Sequence, residues 1–381
     1  MDKQLDLNEI RQEIDTIDAS MVELFENRLA VCKDVAQFKI DNGKNVLDKD
    51  RERQKIQKVK SQAKNKFNEQ GIEELFTQIM AISRKLQYRI LAENGKGQDI
   101  DFRKIESFHP GKEDMTVVYQ GVPGAYSHEA MMNYFGSGVK NFHVATFRNA
   151  MEAIRDGKAD YGVLPIENTT AGIVNDVYDL LVEFDNIIID QTDVVVRHAL
   201  LGLPGAELSD IQVVYSHPQG LMQCSEFLEE HPDWQQISQA NTAGSAKKVV
   251  EENRKSQAAI ASVNAAKEYG LQVLQENINY NSKNTTRFII IGKNKIYTEK
   301  ASKVCVCFEL PHSSGTLYNM LSHFIYNGLN MTKIESRPMK NKSWEYRFFV
   351  EFEGRLDEPG TLNAIRGIME EANAFKLLGN Y

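Results

Sequence analysis

The sequence predicts a multi-domain protein in three parts: an all-α segment, a two-lobed α/β segment, and a closing α+β segment of βαββαβ order. Three observations carry that reading. Apolar residues recur every ~3.6 positions along the first part. Short apolar runs then alternate with helical patterns through the middle. The last stretch reads strand, helix, strand, strand, helix, strand. The length of 381 residues agrees with two or three domains at ~150 residues each.

The first helix starts near Ile10, and its stripe continues through Ile14, Ile17, Met21, Leu24, Val31, Val35 and Phe38. Arg28 and Lys39 stand on that same stripe. At ~100° per residue, Arg28 is in line with Ile10 and Lys39 lies about 20° away. A cation there costs several kcal/mol of desolvation unless an anion meets it. Two such cations point to a buried anionic ligand, with internal salt bridging as the alternative. A second helical stretch puts Asp48, Arg51 and Glu52 on one face at i, i+3 and i+4. A third runs from Gly71 to about Ile90, with Ile72, Leu75, Phe76, Ile79, Ile82, Leu86 and Ile90 as its stripe. Ser83 interrupts that stripe and Gln87 follows on its edge. Singly, each is a core polar group or a solvated charge. Together they supply cations, a carboxylate acceptor and an amide donor, an inventory that suits a compact polyanion carrying a hydroxyl.

In residue type and order, Arg11, Arg28, Lys39, Asp48, Arg51, Glu52, Ser83 and Gln87 resemble the site of the all-helical chorismate mutases. The resemblance covers residues 1–92. It implies chorismate as substrate, with Lys39 and Gln87 as catalytic groups. It also implies an intertwined dimer whose long first helix crosses to the partner, so that Arg11 reaches the other protomer's site. The offset of ~100° between Arg11 and the Arg28 face fits this arrangement.

The formal charge of −8 argues against a nucleic-acid partner. The opening Met-Asp-Lys-Gln-Leu-Asp lacks a basic-then-apolar signal pattern, and no apolar run approaches the ~18 residues of a membrane span. Cys32, Cys224, Cys305 and Cys307 have no CxxC spacing, and Cys305 and Cys307 would share one face of a strand. The expectation is a cytoplasmic protein with no structural metal and no cofactor.

Residues 93–114 lack apolar periodicity, hold three glycines and a proline, and read as a linker. Beyond it, strands are expected over Thr116–Gln120, Tyr161–Leu164, Ile187–Val196, Val213–Tyr215, Ala258–Ala261 and Phe288–Ile291. Helices are expected over Ser127–Tyr134, Phe147–Asp156, Ile173–Glu183, Pro218–Glu230, Gly244–Asn253 and Val263–Tyr269. That alternation predicts parallel sheets in two lobes. Polar caps gather at the strand-to-helix turns: Gly121 to His128 with Ser127 as N-cap, Glu167 to Thr170, and Ser216-His217-Pro218. The first turn is not GxGxxG, which excludes a dinucleotide fingerprint there. Each turn alone is ordinary capping. Several at the ends of parallel strands would line a crevice suited to anions.

Asn284-Thr285-Thr286-Arg287-Phe288 opens an apolar strand and resembles the Thr-Arg-Phe motif of prephenate dehydratases. Gly121 to His128, Pro165 to Thr170, Ser216 to Gln219 and Ala261-Ser262 stand around it in that family's order. The resemblance spans residues 115–293. It implies two α/β lobes, periplasmic-binding-protein-like, with prephenate held between them. The site it implies is Ser127, Asn168, Thr169, Thr170, His217, Thr286, Arg287 and Phe288. In it Thr286 is catalytic, while Arg287 and the Asn168–Thr170 turn hold carboxylates.

The closing part is expected as strand Lys303–Leu310, helix Gly315–Tyr326, strands Leu329–Glu335 and Tyr346–Phe352, helix Thr361–Glu371 and strand Phe375–Leu378, a ferredoxin-like order. Pro311 to Gly315 and Ile334 to Pro338 mark the loops after two strands, with Pro338 stopping the second. Residues 303–379 resemble the ACT regulatory domain of the same dehydratases, whose Glu-Ser-Arg-Pro is present as Glu335 to Pro338. The family's Gly-Ala-Leu is here Gly315-Thr316-Leu317. The resemblance implies a phenylalanine site formed by Gly315, Thr316 and Leu317 with Glu335, Ser336, Arg337 and Pro338 of a neighbouring module.

The combined expectation is a bifunctional chorismate mutase and prephenate dehydratase with feedback inhibition by L-phenylalanine, a homodimer or higher homo-oligomer with no nucleic-acid or membrane partner. The alternatives are a ligand-sensing transcription factor with a two-lobed effector domain and a solute-binding protein. The acidic balance weighs against the first and the missing signal pattern against the second.

Overall fold

The structure is a computed structural model that describes residues 6–94, 100–108, 114–339 and 345–381. Its backbone contacts divide into two units, 1–100 with 303–377 and 101–302 with 378–381. The first five residues of the expected start, and 95–99 and 109–113 of the expected linker, lie outside the described residues.

The first unit begins with α1 (Leu7–Asp41), α2 (Lys49–Lys60) and α3 (Lys66–Glu93). Each has a side-chain N-cap: Asp6 accepts from Asn8 N at 2.8 Å, Asp48 from Arg51 N at 2.9 Å, and Asn65 from Asn68 N at 2.8 Å. Asp48 therefore caps α2 instead of sharing its face with Arg51 and Glu52. The cap at Asn65 starts α3 earlier than expected and puts Gly71 inside it. The expected stripe on α1 is present, but a single chain leaves it in water: Ile17 is 59%, Leu24 68% and Val31 61% exposed. Only Ala36 of α1 is buried.

The second unit contains β1 (Arg103–Ile105), β2 (Thr116–Gln120), α4 (Tyr126–Phe135), β3 (Lys140–Val144), α5 (Phe147–Arg155), β4 (Tyr161–Asn168), β5 (Gly172–Ile173), α6 (Asn175–Glu183) and β6 (Ile187–Val195). The chain then builds β7 (Ala199–Gly202), β8 (Val213–Ser216), α7 (Pro218–Gln223), α8 (Ser225–Glu229), β9 (Gln235–Ser238), α9 (Thr242–Glu252), β10 (Gln257–Ala261), α10 (Val263–Tyr269) and β11 (Gln272–Gln275), and returns through β12 (Thr285–Gly292) and β13 (Ile296–Thr298). Two sheets result, in the orders β6-β12-β4-β2-β3 and β11-β7-β10-β8-β9. Because β12 comes back from the second lobe, it enters the first antiparallel to both β4 and β6. Likewise β7 runs antiparallel to β10. The sheets are therefore mixed, not parallel throughout. The expected helix Pro218–Glu230 is broken at Cys224 into α7 and α8.

The first lobe packs Val117, Tyr119, Met131, Val163, Phe288 and Ile290 into one core. In the second lobe, Leu201, Val249, Ala259 and Ala265 form the core. The loop after β2 rests on α10: Ser262 Oγ donates to Gly124 O at 2.9 Å and Tyr269 OH to Pro123 O at 2.9 Å. Gly124 has φ +80°, and a Cβ there would come within 2.8 Å of the Ala265 Cα. Gly124→Ala therefore combines a left-handed backbone with a clash against helix backbone. It should lower stability by about 2–4 kcal/mol, read as a fall in the denaturant midpoint.

The first unit resumes with β14 (Lys303–Glu309), α11 (Thr316–Tyr326), β15 (Met331–Pro338), β16 (Tyr346–Glu353), α12 (Pro359–Glu371) and β17 (Ala374–Asn380). Its sheet order is β15-β16-β14-β17. Ile334 to Pro338 lie within β15 and not in a loop. As the edge strand, β15 tolerates Pro338 at its last position. Both helices of this module pack against α3. This explains why the buried residues of α3 include Ser83, Arg84, Lys85 and Gln87, whereas Leu75 of the expected stripe is 42% exposed.

Candidate active sites

The helical cluster assembles across α1, α2 and α3. Arg28 Nη1 donates to Ser83 Oγ, which itself donates to Ile79 O at 2.7 Å. Gln87 Nε2 donates to Ser83 O at 3.2 Å, and its Oε1 is buried without a partner. Lys39 Nζ donates to Val46 O. Burial lowers the Lys39 pKa, with Glu370, Asp48 and Glu52 pulling it back up. Glu52 takes a two-oxygen contact from Arg84, at 2.7 and 2.6 Å. Arg11 and Arg51 are exposed. Arg28, Lys39, Ser83, Gln87 and Glu52 thus gather cations, an amide and a carboxylate on neighbouring helices, and Arg11 stands apart from them in the first turns of α1. A cavity of 390 Å³ opens beside Lys39, lined also by Lys44, Val46, Tyr88, Arg366 and Glu370. Arg84 and Lys85 were not flagged by the sequence, because Glu371 and Ser322, which they bind, lie far downstream.

The larger site is a cleft of 700 Å³ within the second unit, lined by Asn168, His217 and Thr286. Strand register builds its centre, with Thr286 opposite Asn168 on β4. Asn168 Nδ2 donates to Asn284 Oδ1 at 2.8 Å, to Thr286 Oγ1 at 2.9 Å and, more weakly, to Thr285 O at 3.3 Å. Its Oδ1 accepts from Thr170 N at 3.0 Å and Ala171 N at 2.8 Å. The Thr286 oxygen is therefore already supplied as an acceptor, and its own proton is left for the cleft. His217 caps α7, its Nδ1 accepting from Gln219 N at 3.2 Å, and burial lowers its pKa.

The other expected residues occupy different places. Arg287 alternates to the opposite face of β12 from Thr286 and pairs with Glu167 at 3.7 Å and Asp193 at 4.0 Å. Phe288 is 2% exposed and belongs to the first lobe's core. Ser127 lies inside α4, whose N-cap is Ala125, and its hydroxyl donates to Gln120 O. Thr169 Oγ1 accepts from Thr285 N at 2.9 Å, a clamp between strands. The cleft also takes Gln120, His198, Gln223, Asn241 and Thr242, which sequence reasoning did not find. His198 is 2% exposed, with its ring nitrogens 3.1 Å from the Tyr126 hydroxyl and 2.9 Å from Gln223 Oε1. Burial lowers its pKa and keeps the ring neutral. Asn241 caps α9, accepting from Gly244 N at 2.6 Å. That capping pattern was the one available signal for it.

A third cavity, of 380 Å³, is lined by Pro311, His312, Gly315, Thr316, Leu317, Tyr346 and Phe348. Gly315 caps α11 with φ +79°. Glu335, Ser336, Arg337 and Pro338 do not line it within this chain.

Among the described residues, no helix is long and apolar enough to cross a membrane. Residues 10–88 match the family model for chorismate mutase type II, and residues 117–296 match that for prephenate dehydratase. The bifunctional chorismate mutase/prephenate dehydratase of Buchnera aphidicola subsp. Schizaphis graminum is 30% identical over 388 residues, covering 100% of this chain and 97% of that one. Its counterpart from Aquifex aeolicus is 29% identical over 381 residues, covering 99% and 98%. The crystal structure of a prephenate dehydratase from Arthrobacter aurescens in complex with L-Phe superimposes with a TM-score of 0.65 at 30% identity, over 70% of this chain and 89% of that one. Matched end to end by such relatives, the chain belongs to the bifunctional chorismate mutase/prephenate dehydratase family and is an enzyme with both activities.

Proposed function

We propose that the two steps run at two separate sites, and that L-phenylalanine inhibits the enzyme through a C-terminal ACT module. The observation that carries the reading is the Thr286 hydroxyl, supplied as an acceptor by Asn168 and facing the cleft.

The rearrangement of chorismate is intramolecular and needs no nucleophile. Catalysis comes from holding the folded conformer and stabilising charge on the breaking ether oxygen. Arg28, with Arg11 from a second chain, takes the two carboxylates. Lys39 and Gln87 take the ether oxygen; both now donate to backbone carbonyls that a substrate oxygen would replace. Glu52, with the Asp48 turn, holds the ring hydroxyl, and Arg51 and Ser83 support them. The exposed stripe of Ile14, Ile17, Met21, Leu24 and Val31 supports a homodimer in which a second copy covers α1. Four unpaired cysteines fit a reducing cytoplasm.

In the dehydratase step, the ring carboxylate leaves as carbon dioxide, its bonding electrons complete the aromatic ring, and the ring hydroxyl takes up a proton and leaves as water. Thr286 donates to the departing oxygen. The N-terminal turn of α9, capped by Asn241 at the cleft, receives a carboxylate. The Asn168–Thr170 turn fixes Thr286, and Arg287 supports the strand from its far face.

L-Phenylalanine fits the cavity at Gly315, Thr316 and Leu317, with its ring against Phe348 and Tyr346. The Glu335–Pro338 segment reaches it from a neighbouring module. Regulation requires that phenylalanine bind one arrangement of the enzyme better than another. Removing the whole module is not a clean test, because it packs on α3. Gly315→Ala, and separately Ser336→Ala with Arg337→Ala, should leave dehydratase turnover that saturating phenylalanine no longer depresses. Inhibition as strong as in the parent would move the effector site elsewhere.

A further inference from the structure

Arg84 is 8% exposed and follows Ser83 directly on α3. One guanidinium there serves two carboxylates. Nη1 donates to both oxygens of Glu52 on α2, while Nε donates to Glu371 Oε1 at 2.8 Å and Nη2 to Glu371 Oε2 at 3.3 Å. Glu371 is on α12, in the C-terminal module. His323 of α11 stands beside it, with Nε2 3.3 Å from Oε1. A Cβ on Gly367 would overlap the His323 ring, so the absence of a side chain there gives the imidazole its place. Although burial pushes the Glu371 carboxyl up, His323 and Arg84 together hold it at about 2.

Two further links join the helical part to the same module, one from the α1–α2 loop and one from α3. Val46 N donates to Glu370 Oε1 at 2.9 Å, and Val46 O accepts from Lys39. Lys85 Nζ donates to Ser322 Oγ at 2.6 Å and lies 4.0 Å from the Tyr326 ring centroid. Two parallel bonds from Nε and Nη2 to Glu371 fix the rotation of the planar guanidinium as well as its position, and so aim Nη1 at the two oxygens of Glu52. A carboxylate that must meet a substrate hydroxyl gains from that restraint only while the guanidinium is itself held.

We propose that Arg84 is a positioning residue for the chorismate rearrangement, orienting Glu52, and that Glu371 of the C-terminal module keeps Arg84 in place. The C-terminal module then contributes to the geometry of the mutase site through Glu371. The inference rests on Glu52 serving that site, as read above.

The test uses the full-length chain, with mutase kcat and KM on chorismate, dehydratase turnover on supplied prephenate, and Tm measured together. Arg84→Met should lower mutase kcat on the order of tenfold or more, with KM changing far less and dehydratase turnover unaffected. Arg84→Lys should recover part of that loss. Glu371→Gln should lower mutase kcat several-fold in the same selective way. Mutase kcat within about twofold of the parent in both Arg84→Met and Glu371→Gln overturns the proposal. So does a parallel loss of both activities and of Tm in all three variants, which assigns the cluster to domain docking alone. An unchanged mutase kcat in Glu52→Ala would instead overturn the underlying site reading.

Discussion

Thr286→Val abolishes phenylpyruvate formation and leaves the mutase step running, so that prephenate accumulates from chorismate. Valine keeps the shape and the β-branched fit to β12, and removes only the hydroxyl. Asn168 still has Asn284 Oδ1 and the Thr285 carbonyl to bond, so the turn that carries it stays satisfied. The cost falls on chemistry: the departing ring oxygen loses its proton donor, and a positioned general acid contributes about 10²- to 10⁴-fold. Ultraviolet absorbance of phenylpyruvate against acid-converted prephenate reads both steps from one reaction. An equal loss of both activities would indicate misfolding.

Lys39→Ala lowers mutase kcat by ~10²-fold or more, the scale of one lost transition-state donor. Lys39 is half-buried, and that partial desolvation, which lowers its pKa, also strengthens its pull on an oxygen beside it. Dehydratase turnover on supplied prephenate should be unchanged, since the Thr286 cleft is built wholly from residues of the other unit. Near-normal mutase turnover would remove Lys39 from the catalytic role.

Periodicity made much of the fold legible. Helix α10 was read residue for residue as Val263–Tyr269, and β2 as Thr116–Gln120. The strands that went unread are short or polar, such as Gln235–Ser238 at a sheet edge and Ala199–Gly202, whose four residues are all buried and so show no alternation. Antiparallel return of β12 could not be inferred from alternation alone, since it depends on where the chain re-enters the first lobe. Thr286, Asn168 and His217 were placed in one cleft because turn chemistry and strand ends are local signals. Arg287 and Phe288 flank the same motif, but the two-residue period of a strand and the core's demand for an aromatic send them elsewhere. Arg84 had no local signal at all. Its second carboxylate stands 287 positions away, and a charge on a helix reads as solvated until that partner is known.

Two separate sites on one chain, as proposed above, pass prephenate between them through solution if each works without the other. The most direct measurement mixes equal amounts of the Lys39→Ala and Thr286→Val chains with chorismate and follows phenylpyruvate. Neither variant alone should make it at an appreciable rate, and the mixture should. A mixture that stays inactive, although the Lys39→Ala chain dehydrates supplied prephenate and the Thr286→Val chain produces it, would contradict the claim.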